Sequence, residues 1–104
     1  MSQGIAALEP AAASGGTTLA LQELPMGARA VIAQLRTPAN VGDREVLLRL
    51  IEIGFLPGET VRVVAKARVG REPVAVRLGG QSTFALRERE AELILVRPIA
   101  EEAV

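Results

Sequence analysis

The stretch Asp43-Arg44-Glu45-Val46-Leu47-Leu48-Arg49-Leu50-Ile51-Glu52-Ile53-Gly54-Phe55-Leu56-Pro57-Gly58 decides the fold. At 100° per residue, Val46, Leu47, Leu50, Ile51 and Ile53 fall within one arc, and Glu45, Arg49 and Glu52 take the other side. The spacing predicts an amphipathic helix over about Asp43–Ile53. Asn40 or Asp43 can cap its start. Gly54 fits the left-handed position after the last turn, and Phe55 is placed to fold back onto the apolar face. Leu56-Pro57-Gly58-Glu59 reads as a type II turn, in which Pro fixes φ and Gly takes the positive φ.

On both sides of this helix the apolar period falls from 3.6 to two. Upstream, Leu24-Pro25-Met26-Gly27 is a turn signal before a strand over Ala28–Arg36, with Val31, Ala33 and Leu35 expected on its apolar side. Downstream, Val61, Val63, Ala65 and Ala67 alternate with Arg62, Val64, Lys66 and Arg68, and a loop leads to Val74, Val76 and Leu78, which predicts a hairpin. Phe84 and Leu86 mark a short fourth strand. A charged helical turn over Arg87–Glu92 leads into Leu93–Val96, which Pro98 is expected to stop. About five short strands, tight turns and one helix predict a mainly β chain forming a small, partly closed barrel.

The chain has 104 residues, which suits one domain. Residues Met1 to Thr18 contain thirteen Ala, Gly, Ser, Thr or Pro and read as a flexible low-complexity tail, 1–18, before a domain over 19–97 and a C-terminal tail, 98–104. That opening stretch lacks the basic start and apolar run of a secretory signal, so a cytoplasmic location is the expectation. No run approaches the roughly 18 apolar residues that cross a bilayer, and no membrane insertion is expected. With no cysteine and no histidine, disulfides, imidazole or thiolate metal sites and His-assisted nucleophiles are excluded within the chain. No cofactor, no catalysis and no tight transition-metal site are expected. Phe55 and Phe84 are the only aromatic residues, too few for base stacking or for an aromatic groove that binds polyproline. An aliphatic core of this size leaves room for stabilisation by a partner or by weak self-association.

The helix-to-turn segment Leu47–Gly58, the hairpin, and Phe84-Ala85-Leu86-Arg87 followed by Ala91-Glu92-Leu93-Ile94-Leu95-Val96 together resemble the FeoA family, small cytoplasmic proteins that accompany the bacterial ferrous-iron transporter. The family pattern is a leucine-rich helix ending in Leu-Gly, two residues, then Pro-Gly, and here Ile53 stands in place of the Leu. The resemblance covers about Leu19–Arg97. It implies an SH3-like barrel with an inserted helix, also similar to the C-terminal domain of metal-dependent repressors, and no catalysis. It further implies an accessory role in ferrous-iron uptake, exerted by binding the cytoplasmic GTP-binding part of a FeoB-type transporter. A small basic-patch nucleic-acid-binding barrel and a metal-responsive sensor domain are the alternatives.

Two surfaces are candidates for partner binding. Leu48 lies opposite the apolar arc with Arg44, Arg49 and Glu52 around it, which is either an isolated exposed leucine or the centre of a docking face. Val61–Leu78 carries five basic residues against one acid, and Arg62, Lys66 and Arg68 share strand parity. That pattern suits a solvated strand face or electrostatic docking on an acidic partner. Glu88, Glu90 and Glu92 could gather as metal-binding oxygens if extended, but their alternation with Arg87 and Arg89 points to mutual neutralisation instead.

Overall fold

Six strands, each antiparallel to its neighbours, form one sheet in the computed structural model, which describes residues 17–67, 69 and 70, 72–79 and 82–100. They are β1 (Leu19–Ala20), β2 (Arg29–Leu35), β3 (Thr60–Lys66), β4 (Val74–Leu78), β5 (Ser82–Leu86) and β6 (Ile94–Pro98), in the spatial order β1-β6-β2-β3-β4-β5. Helix α1 (Val41–Ile53) joins β2 to β3, and the short α2 (Glu88–Glu92) precedes β6. The low-complexity tail expected over 1–18 lies outside the described residues for all but its last two positions.

The two-residue β1 raises the strand number from the expected five to six; it pairs with Leu95 and Val96 and is too short to show a period. Strand β6 continues through Pro98, and the Ile99 amide donates to the Arg29 carbonyl at 2.9 Å, so the sheet runs past Arg97.

Helix α1 begins where its cap permits. The Asn40 side chain accepts a hydrogen bond from the Asp43 amide at 2.8 Å, and Val41 and Gly42 form the first turn. At the other end Gly54 has φ +121°, and the amides of Gly54 and Phe55 both donate to the Leu50 carbonyl. This reversal sends the Phe55 ring into the core. Glu59 then donates its amide to Leu56 across the Pro57-Gly58 turn, with Gly58 at φ +95° as expected.

The core is aliphatic around that one ring. Leu21, Leu24, Ala30, Ile32, Leu50, Val61, Val63, Val76, Ile94 and Val96 are buried with Phe55, whose ring meets Phe84 edge to face at 5.7 Å. On β2 the buried residues are Ala30 and Ile32, which corrects the expected apolar side of Val31, Ala33 and Leu35. Both parities of this strand are apolar, and pairing decides between them, since Ile32 faces Val96. Bulges between Ile32 and Gln34 on β2 and between Val63 and Ala65 on β3 add the twist that lets one sheet curl around a core.

Asn40→Ala is expected to lower stability by about 1 kcal/mol, because it orphans the Asp43 amide. In a domain of this size that is a melting temperature lower by roughly 4–8 °C with an unchanged far-UV spectrum. An unshifted melting curve would show that the cap does not hold the helix end.

Candidate functional site

Helix α1 touches the core through a narrow stripe. Leu47 and Leu50 are buried and Val46 is half-buried, whereas Ile51, expected within the buried arc, is 43% exposed. Val41 is 73% and Leu48 55% exposed. Residues 41, 44, 48 and 51 recur at helical spacing, so Val41, Leu48 and Ile51 form one outward apolar stripe with Arg44 inside it and Glu52 beside it. The sequence pattern found Leu48 in this stripe and missed its two flanking members. Val41 precedes the expected start of the helix, and the width of a buried arc depends on how closely the helix lies on its sheet.

Two ion pairs fix the helix against α2. Arg49 Nη2 lies 2.8 Å from Glu90 Oε2, and Arg89 Nη2 lies 3.1 Å from Asp43 Oδ1. Arg49 is therefore a strut between helices at the margin of the stripe. Arg44 and Glu52 have no ion-pair partner among the described residues and remain available to a ligand protein. Glu90 also accepts from the Arg87 amide at 2.7 Å, and Glu92 accepts from Gln22 at 3.3 Å. Among the described residues no three carboxylates gather.

The basic strand divides. Arg62 stands opposite both Arg29 and Arg77, on the face of β3 that alternates with buried Val61 and Val63. The bulge at Val63/Ala65 then reverses the alternation: Lys66 stands opposite buried Val74, and its ammonium donates to the Gln22 carbonyl at 3.2 Å. Arg62 and Lys66 thus do not share a face, contrary to the parity expected from sequence. Arg68 lies outside the described residues. Leu47 and Leu50 pack on the inner side of the sheet with Val61 and Val63, so the core separates Arg62 from the α1 stripe. The structure brings Arg44, Leu48 and Glu52 together and leaves Arg62 and Lys66 out of that surface.

No helix among the described residues is long and apolar enough to cross a membrane. The profile of the FeoA domain matches residues 19–98. Among solved structures, the chain is similar to the FeoA of Stenotrophomonas maltophilia complexed with zinc, described as a prokaryotic SH3 domain protein and a candidate activating factor of ferrous-iron transport. The identity is 40% over 76% of this chain and 89% of that one, with a TM-score of 0.66. The FeoA protein of Chlorobium tepidum is 29% identical over 82% of this chain and 75% of that one, TM-score 0.65. A manganese-dependent transcriptional repressor in complex with manganese shares the fold at 20% identity, over 79% of this chain and 37% of that one, TM-score 0.68. No curated protein gives a significant sequence match.

Proposed function

This chain belongs to the FeoA family, and on that premise we propose that it is a non-enzymatic accessory protein of bacterial ferrous-iron uptake, acting in the cytoplasm by binding the GTP-binding part of a FeoB-type transporter. The observation that carries the reading is the stripe Val41, Leu48 and Ile51, outward on a helix whose opposite side is anchored by Leu47 and Leu50. An apolar centre with a charged rim, Arg44 and Glu52, has the anatomy of a protein-binding patch. The absence of His and Cys from the sequence, and of any Gly-rich loop followed by Lys-Ser/Thr, supports a role without chemistry of its own.

The test is retention of the transporter's purified soluble domain by the immobilised full chain at physiological salt. Saturable retention is the expected result. Failure to retain it, together with a salt-dependent shift of generic RNA or DNA, would replace this reading with a nucleic-acid-binding barrel. Failure accompanied by a rise in melting temperature with micromolar iron or manganese would replace it with a metal sensor.

A further inference from the structure

We propose that the outward stripe of α1 is also a self-association surface, on which two copies of the chain pair their helices antiparallel about a two-fold axis at Leu48. Positions 41, 44, 48 and 51 follow one another at intervals of three, four and three, which is the spacing of a coiled-coil seam. Val41, Leu48 and Ile51 are the exposed apolar residues of that seam, and Leu48 stands between the other two. Leu47 and Leu50 hold the helix to the core from its other side, so the stripe is open to a second helix.

Charge chooses the occupant and its direction. In an antiparallel pair centred on Leu48, the residue four positions before the centre comes level with the residue four positions after it on the second copy. Arg44 therefore meets Glu52 of the second copy, and the symmetry makes the same contact twice. Both side chains are exposed, and neither has an ion-pair partner within its own copy among the described residues. At an interaxial distance of about 8–10 Å, an arginine and a glutamate at one level span the seam. A parallel pair would instead set Arg44 level with the second copy's Arg44, a like-charge contact that opposes association. Arg49 is held at the margin by Glu90 at 2.8 Å, so Arg44 is the cation that faces the seam. Glu45 flanks the layer of Arg44 and Glu52 and is the acid set against it.

The seam is short. Helix α1 has 13 residues, a rise of about 20 Å, and the seam runs for little more than one heptad. A helix pair of this length buries less than the roughly 1,200 Å² of a stable interface. With Glu45 also working against it, the dimer is weak and reversible and forms at high protein concentration. It covers the apolar stripe while the transporter, to which the same surface is assigned, is absent, but the dimer itself does not rest on that reading.

The experiment is sedimentation equilibrium of the full chain alone, from about 10 µM to 1 mM, with melting curves as the check on folding. The average mass is expected to rise with concentration from 11.0 kDa towards twice that value. Leu48→Glu puts two carboxylates at the axis and should keep the chain monomeric throughout. Arg44→Glu and Glu52→Arg should each weaken the dimer about 5-fold or more, because each turns two attractive contacts into repulsive ones. An acid near the start of a helix and a base near its end suit the helix dipole, so both variants should melt as the wild type does. Mixed in equal amounts, the two variants should regain the wild-type affinity to within about 2-fold, since their charges then complement one another across the seam. A chain still monomeric at about 1 mM overturns the proposal. So does a dimer that the single variants leave unchanged or that the mixture fails to restore, since either places the contact elsewhere or in another direction. The measurement uses the chain alone, so its failure leaves the transporter reading standing, and failure to retain the transporter's soluble domain leaves the dimer standing.

Discussion

Phe55→Ala is expected to remove about 3–5 kcal/mol of the domain's stability and to move its urea midpoint far below that of the wild type. The ring has no exposed surface, is the largest of the fully buried side chains, and sits where the end of α1, the Pro57-Gly58 turn and the sheet converge. Truncating a buried Phe to Ala costs about 3–5 kcal/mol. The edge-to-face contact with Phe84 is part of that loss. Native domains have about 0.05–0.15 kcal/mol per residue, which for the 80 residues of the matched domain comes to some 4–12 kcal/mol. The loss therefore approaches or exceeds the lower part of that range. No other aromatic side chain can swing in to fill the void, since Phe84 is already packed at its edge.

The measurement is urea unfolding read by far-UV dichroism, with proton NMR dispersion as the check on tertiary packing. Phe55→Leu keeps most of the volume and should cost less than about 1.5 kcal/mol, giving a folded reference. If Phe55→Ala retains a midpoint close to that of the wild type, the core is not organised around this ring, and the junction of helix and turn is not what fixes the barrel.

How much of this was legible in the chain differs from element to element. Helix α1 could be read because local signals agreed: a 3.6 period, an Asn40 cap, Gly54 at the stop and Pro57-Gly58 beyond it. The hairpin of β3 and β4 was legible for the same reason. The face of β2 was not, because Ala30 and Ile32 are as apolar as Val31, Ala33 and Leu35. Only the encounter of Ile32 with Val96, 64 positions away in the chain, chooses between them.

The candidate site was half legible. Leu48 stood out as a leucine among charges, but Ile51 was indistinguishable from a core residue, since exposure depends on the line of contact between α1 and the sheet. The grouping of Arg62 with Lys66 failed at the Val63/Ala65 bulge, where one extra residue on β3 reverses the alternation. Nor could the opposition of Arg62 to Arg29 and Arg77 be seen. Arg29, Arg62 and Arg77 are separated by 33 and 15 positions and become neighbours only through strand register.

Leu48→Glu is expected to weaken transporter binding by about 10-fold or more while shifting the melting temperature little. The side chain is 55% exposed, and substitutions at such positions usually change stability by no more than about 0.5 kcal/mol. The new carboxylate gains Arg44 one turn before it and faces Glu52 one turn after it, so the helix itself is close to indifferent. In the complex, however, the charge would be buried at the centre of an apolar stripe, where a single well-packed anchor carries about 2 kcal/mol or more. Arg44→Glu at the rim should act instead on association rate and salt dependence. Leu50→Gln supplies the contrast: it leaves an unpaired amide in the core at about 1–3 kcal/mol, so any binding it loses follows the folded fraction and returns on cooling towards the stability maximum. Arg62→Glu lies across the core from the stripe and should leave transporter binding unchanged. Equal affinity of wild type and Leu48→Glu for the transporter's soluble domain would remove the α1 stripe from consideration. Loss of binding in Arg62→Glu alone would move the interface to the outer face of the sheet.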